Sequence, residues 1–147
     1  MNKESTLQTI VVGVDGSDAS VEALLEAQHL ALPTGAKVIA TAFWEFPQMY
    51  LGYLTMGIDG FEETAGKILT ESLTQAFGTE LPENVEAKLS RGYAREGLIE
   101  ASKTADMVVV GRRGHGGFGG LVLGSVSSAI VGMAHCPVLV VHSPKSK

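Results

Sequence analysis

The chain has 147 residues, 45% of them hydrophobic and 18% charged, with a formal net charge of −5. This is globular composition, enough for one core without staples, and it excludes a disordered chain. The acidic balance counts against nucleic-acid binding, and the single cysteine against an internal disulfide or a cysteine-based zinc site. No apolar run reaches the ~18 residues of a membrane span. The opening MNKESTLQT has no apolar stretch that could serve as a signal peptide. A single soluble cytoplasmic domain over residues 1–147 is expected.

In chain order, residues 9–14 are a short apolar, β-branched run that reads as a buried strand. The run breaks at Asp15-Gly16-Ser17-Asp18, whose Ser and Asp are good helix N-caps. Val21, Leu24, Leu25, Leu30 and Ala31 then form a helical stripe that stops around Pro33-Thr34-Gly35. Residues 37–44 read as a second strand. Ala65, Ile68, Leu69, Leu73, Ala76 and Phe77 recur at helical spacing, and Gly78 suits the C-cap. Val85, Ala87 and Leu89 alternate with Glu86, Lys88 and Ser90, the pattern of a half-exposed strand at a sheet edge. A short helix is expected over 96–102. Residues 107–110 are apolar throughout, as in a central parallel strand covered on both faces. A glycine-rich segment leads into a helix over 125–134, and residues 137–141 make a fifth strand.

Five strands alternating with four helices predict one open parallel α/β sheet with right-handed crossovers and helices on both faces. In such sheets the ligand sits beyond the carboxyl ends of the strands, where the strand order reverses. The loops after the first and fourth strands carry the strongest chemistry. They line one crevice if those two strands are neighbours.

Charge and glycine are unevenly placed. All 16 acidic residues lie at or before Asp106, while Arg112, Arg113, Lys145 and Lys147 follow it. Of the 18 glycines, 8 fall between Gly111 and Gly132. Such a segment suits an anion site, where backbone N–H groups approach the ligand unhindered, or equally a flexible surface loop.

Three phosphate-binding templates can be laid on this loop. The P-loop spacing occurs at Gly119 to Gly124, but Ser125 stands where the lysine must be, so that reading fails. Gly114-His115-Gly116-Gly117-Phe118-Gly119 is a literal dinucleotide pattern. It too is rejected, because no helix begins there and no acidic residue follows for the ribose. The third is Gly111-Arg112-Arg113-Gly114, nine residues, then Gly124-Ser125. This Gly-x2-Gly-x9-Gly-Ser/Thr spacing after a buried strand resembles the ATP-binding signature of the universal stress protein family. Val12 to Ser17 resemble that family's first strand and aspartate turn, Leu123 to Ser127 its fourth-helix start, and His135 to Val141 its last strand. The resemblance covers essentially the whole chain.

The resemblance implies a Rossmann-like, adenine nucleotide alpha hydrolase-like sheet of strand order 3-2-1-4-5, binding ATP with or without Mg2+. Gly111 and Gly114 would let the backbone turn under ribose and phosphates where a Cβ would collide. Gly124 and Ser125, with Val126 and Ser127, open the fourth helix, whose free N–H groups and positive dipole end suit a polyphosphate. The hydroxyls of Ser125 and Ser127 can add donors, and Arg112 or Arg113 can offset phosphate charge. By resemblance Asp15 meets the ribose or a phosphate-bound magnesium; its other reading is a helix cap. Phe43 matches the position whose backbone reads adenine in ATP-binding relatives, or is ordinary core. Gly13, Val14 and Val110 complete the apolar wall. His115 is the one histidine near the loop, and Cys136 reads as packed rather than reactive. The aromatic and Met-rich connection over 44–53 is a lid, a partner surface or a loop tucked on its own domain.

The leading functional expectation is an adenine-nucleotide-binding stress-response regulator, not an enzyme, working as a homodimer paired through its last strand. AMP, ADP and cyclic AMP share the adenosine with ATP. The alternatives are an enzyme of a related fold that slowly hydrolyses or transfers from ATP, and a dimerising domain without nucleotide. Against an enzyme stand the missing P-loop lysine and the lack of a nucleophile–base pair.

Overall fold

Alternation along the strands decides which helices cover which face of the sheet. The computed structural model describes residues 7–45, 57–112 and 123–143. It contains β1 (Thr9–Gly13), α1 (Asp18–Ala31), a 3-10 turn (Leu32–Thr34), β2 (Lys37–Trp44) and α2 (Gly57–Phe77). These are followed by β3 (Val85–Arg91), α3 (Ala94–Ala101), β4 (Met107–Gly111), α4 (Ser125–Met133) and β5 (Val138–Val141). The strands form one parallel sheet in the order β3-β2-β1-β4-β5, as the resemblance implied.

Successive side chains of a strand point to opposite faces. In β1, Ile10 and Val12 join Ala23, Leu24 and Ala27 of α1 and Leu69 and Leu73 of α2 in one core. Val11 joins Leu98 of α3, Val108 and Val110 of β4 and Ile130 of α4 in the other. β1 and β4 read as unbroken apolar runs because both of their faces are covered.

Details differ from the sequence reading at helix surfaces. Leu25 is 39% exposed, and the buried stripe of α1 runs through Val21, Leu24, Ala27 and Ala31 instead. Alanines carry half of it because they let the helix lie close to the sheet. α2 starts at Gly57, before the stripe noted from Ala65, and half-buried Phe61 extends its apolar side by one turn. On the edge strand β3, Val85 is buried but Ala87 is exposed.

Two devices fix the frame that holds the crevice. The register of β1 on β4 sets Ile10, Val11 and Val12 opposite Met107, Val108 and Val109, so the loops after both strands leave the sheet side by side. At the other end Asp106 Oδ2 accepts hydrogen bonds from the backbone N–H groups of Gln8 (3.0 Å) and Thr9 (2.9 Å). Among the described residues no helix is long and apolar enough to cross a membrane.

Candidate functional site

A cleft of about 670 Å³ opens at the carboxyl ends of the strands, over the point where the chain order reverses between β1 and β4. Gly13, Val14, Asp15, Phe43, Val110, Gly111, Gly124, Ser125, Val126 and Ser127 all line it. Arg113 and Gly114, with His115, lie outside the described residues, as do 46–53 of the aromatic connection.

Three helix N-termini border the cleft, those of α1, α3 and α4; α3 starts at Tyr93 without a side-chain cap, and α1 and α4 end differently. At α1, Ser17 is the N-cap: its Oγ accepts from the Ser20 N–H at 3.1 Å. Asp15 supports that cap from outside the helix, since its Oδ1 accepts from the Ser17 N–H (3.0 Å) and the Ser17 hydroxyl (2.6 Å). The cap is therefore Ser17 and not Asp15, whose exposed carboxylate stands in the cleft. At the start of α1 the Ser20 and Val21 N–H groups thus find their acceptors in Ser17.

α4 is open by contrast. Its N-cap is Gly124, which has no side chain to bond the first-turn amides. The Gly124 N–H donates to the Arg112 carbonyl at 2.9 Å, tying the helix start to the end of β4. The Gly124 carbonyl accepts the first helical bond, from Ser128 at 2.9 Å. The N–H groups of Ser125, Val126 and Ser127 thus have no acceptor within the helix, and the positive end of its dipole meets the cleft.

Two expected roles move. The Ser127 hydroxyl, expected as a ligand donor, donates to the Gly111 carbonyl at 2.5 Å and pins β4 to α4. Gly111 is small for packing reasons. A Cβ there would meet Ala19 Cβ at 2.6 Å and the Ala19 carbonyl carbon at 2.9 Å, so the glycine lets α1 pass the strand end. Phe43 lines the cleft and is also partly buried in the core under α3.

The wall beyond β2 includes residues outside the expected nucleotide-binding set. Trp44 and Glu45 at the end of β2, Gly92 and Tyr93 after β3, and Ala65 and Ile68 of α2 all border the cleft. Ala65 and Ile68 were legible as a helical stripe, whereas Gly92 and Tyr93 were not singled out. Their meeting depends on strand order. The charged side chains among the described lining residues are Asp15 and Glu45, and Glu45 accepts from Arg91 Nε at 3.0 Å. Among the described residues no group of three or more His, Cys, Asp or Glu side chains gathers to hold a metal.

Comparison with known proteins places this geometry in a family. The model of the universal stress protein family matches residues 6–142. A universal stress protein of Mycobacterium tuberculosis is 33% identical over 144 residues, which cover 95% of this chain and 50% of that one. The chain thus spans about half the length of the first curated relatives it matches. One from Thermus aquaticus is 33% identical over 138 residues, covering 91% of this chain and 98% of the relative. A universal stress protein solved in complex with cAMP is 29% identical, with a TM-score of 0.67 over 95% of this chain and 100% of that one.

Proposed function

The chain belongs to the universal stress protein family, and from that premise we propose that its cleft binds an adenine nucleotide, ATP foremost. The carrying observation is the open N-terminus of α4 in the same cleft as Asp15. Its three first-turn amides suit phosphate oxygens, and the apolar walls from Gly13, Val14, Phe43 and Val110 suit the nucleoside. The related protein solved with cAMP supports the adenosine part of this reading. Arg113 and Gly114 complete the proposed set.

Where Mg2+ accompanies the phosphates, Asp15 would hold it together with phosphate oxygens and water, the usual mixed coordination of that ion. The protein acts by binding, not turnover. Among the described residues both lining carboxylates already accept hydrogen bonds, Asp15 from Ser17 and Glu45 from Arg91, which disfavours either as a base for water. Steady-state hydrolysis is expected below about 1 s⁻¹, the lower end of typical enzymes. We place it as a cytoplasmic stress-response regulator that changes partners with nucleotide state and dimerises through β5.

The test is to incubate the purified protein with equal amounts of ATP, ADP, AMP, cyclic AMP and GTP, remove free ligand, denature, and identify what is released by mass spectrometry. An adenine nucleotide is expected. Release of GTP alone, or of nothing, overturns the reading.

A further inference from the structure

We propose that Arg91 is a positioning residue that sets the base selectivity of the cleft by holding the Trp44–Glu45 wall and engaging the Glu45 carboxylate. This rests on the nucleotide reading above. Arg91 is the last residue of β3 and stands in register with Trp44. Its Nε donates to Glu45 Oε1 at 3.0 Å, and its guanidinium lies 5.3 Å from the centroid of the Trp44 ring. The next residue, Gly92, donates its N–H to the Trp44 carbonyl at 2.7 Å and has φ +128°, a conformation side chains disfavour. Three contacts therefore clamp the end of β2 to β3, where Trp44, Glu45 and Gly92 border the cleft.

Strand spacing places this clamp at the base end. With strands about 4.8 Å apart, β3 lies roughly 14 Å across the sheet from β4 and the phosphate-binding start of α4. A nucleotide lying along the carboxyl ends with its phosphates at α4 brings its base toward β2 and β3. A carboxylate there accepts two hydrogen bonds from the N1–H and 2-amino group of guanine but one from adenine's amino group. Arg91 draws Glu45 into an ion pair and so removes the advantage of guanine.

The test is calorimetric titration of wild type, Arg91→Met, Arg91→Lys, Glu45→Ala and the double variant Arg91→Met/Glu45→Gln with adenosine, AMP, ATP and GMP. Arg91→Met is expected to weaken adenosine, AMP and ATP by a similar factor, about three- to tenfold given an exposed ion pair plus a cation–π contact. Its preference for AMP over GMP narrows, and the double variant restores that preference. Glu45→Ala, which breaks the same pair from the other side, weakens all three adenine ligands without gaining GMP. Arg91→Lys retains more affinity than Arg91→Met. Unchanged affinities in Arg91→Met and Glu45→Ala, or a loss that grows with phosphate number, overturn the role of Arg91 alone. A wild type that binds none of the adenine ligands overturns the nucleotide reading and this proposal with it.

Discussion

The Phe43 ring lies so close to Gly97 of α3 that a methyl group on that glycine would meet Phe43 Cζ at 2.6 Å and Cδ1 at 2.9 Å. One residue thus borders the cleft and wedges the helix behind it. Gly97→Ala must push the ring aside in a core it partly fills, and is expected to cost about 1–3 kcal/mol. In a Phe43→Ala background the same substitution is expected to cost little, because the clashing ring is gone. Urea unfolding of the four proteins checks this. An equal cost in both backgrounds would place the strain elsewhere.

Gly111→Ala and Ser127→Ala separate stability from binding. The first sets a Cβ against the backbone of Ala19, which cannot swing away, and is expected to lose about 1–3 kcal/mol of stability. The second leaves the Gly111 carbonyl without its hydroxyl donor, at a cost of about 1–3 kcal/mol. Both are expected to lower the urea midpoint while the folded protein keeps most of its nucleotide affinity. A large affinity loss at full stability would return both residues to direct ligand contact.

Cys136 offers a check by pH. Burial raises its thiol above the ordinary value, the Asp106 carboxylate adds to the rise, and a backbone hydrogen bond at Val108 partly opposes it. A raised acid is less ionised at any given pH, and the thiolate is the reactive form. Alkylation by iodoacetamide is expected to be slower than for an unstructured cysteine peptide at pH 8, with its half-maximal rate at a higher pH. Alkylation at or above the peptide's rate would contradict this.

The dimer proposal rests on β5. It is an edge strand, its four residues Val138–Val141 are apolar and only half-buried, and an exposed apolar edge invites pairing. Pairing with a two-fold mate would cover it through one isologous contact. Light scattering at micromolar concentration is expected to give a dimer for wild type and a monomer for Val140→Lys. A monomeric wild type sinks the dimer and leaves the nucleotide site untouched.

What the sequence made legible follows from which signals are local. Strand alternation, the break at Asp15 to Asp18 and the start of α4 at Ser125 are written in neighbouring residues, and they locate both loops of the cleft. The edge position of β3 was readable from its charged alternate positions. The partner of Glu45 was not, because Arg91 lies 46 residues away and reaches it only through strand order. Likewise no local pattern says that Gly111 yields to Ala19 or that Ser127 bonds a carbonyl on β4. Leu25 misled because a leucine outweighs an alanine in a hydrophobic stripe, whereas close packing on a sheet prefers the alanine.

The central claim is that adenine nucleotide phosphates sit on the first turn of α4. Calorimetric titration of ATP into ligand-free wild type and Gly124→Val measures it most directly, since Gly124 has φ −66° and ψ 164°, extended backbone that a valine also adopts. The account predicts saturable binding by wild type and a loss of about tenfold or more in Gly124→Val, the worth of one or two hydrogen bonds to a charged group. Its unfolding midpoint is expected to stay near that of wild type. Equal ATP affinity in the two proteins, or no binding of any adenine nucleotide by wild type, would contradict it.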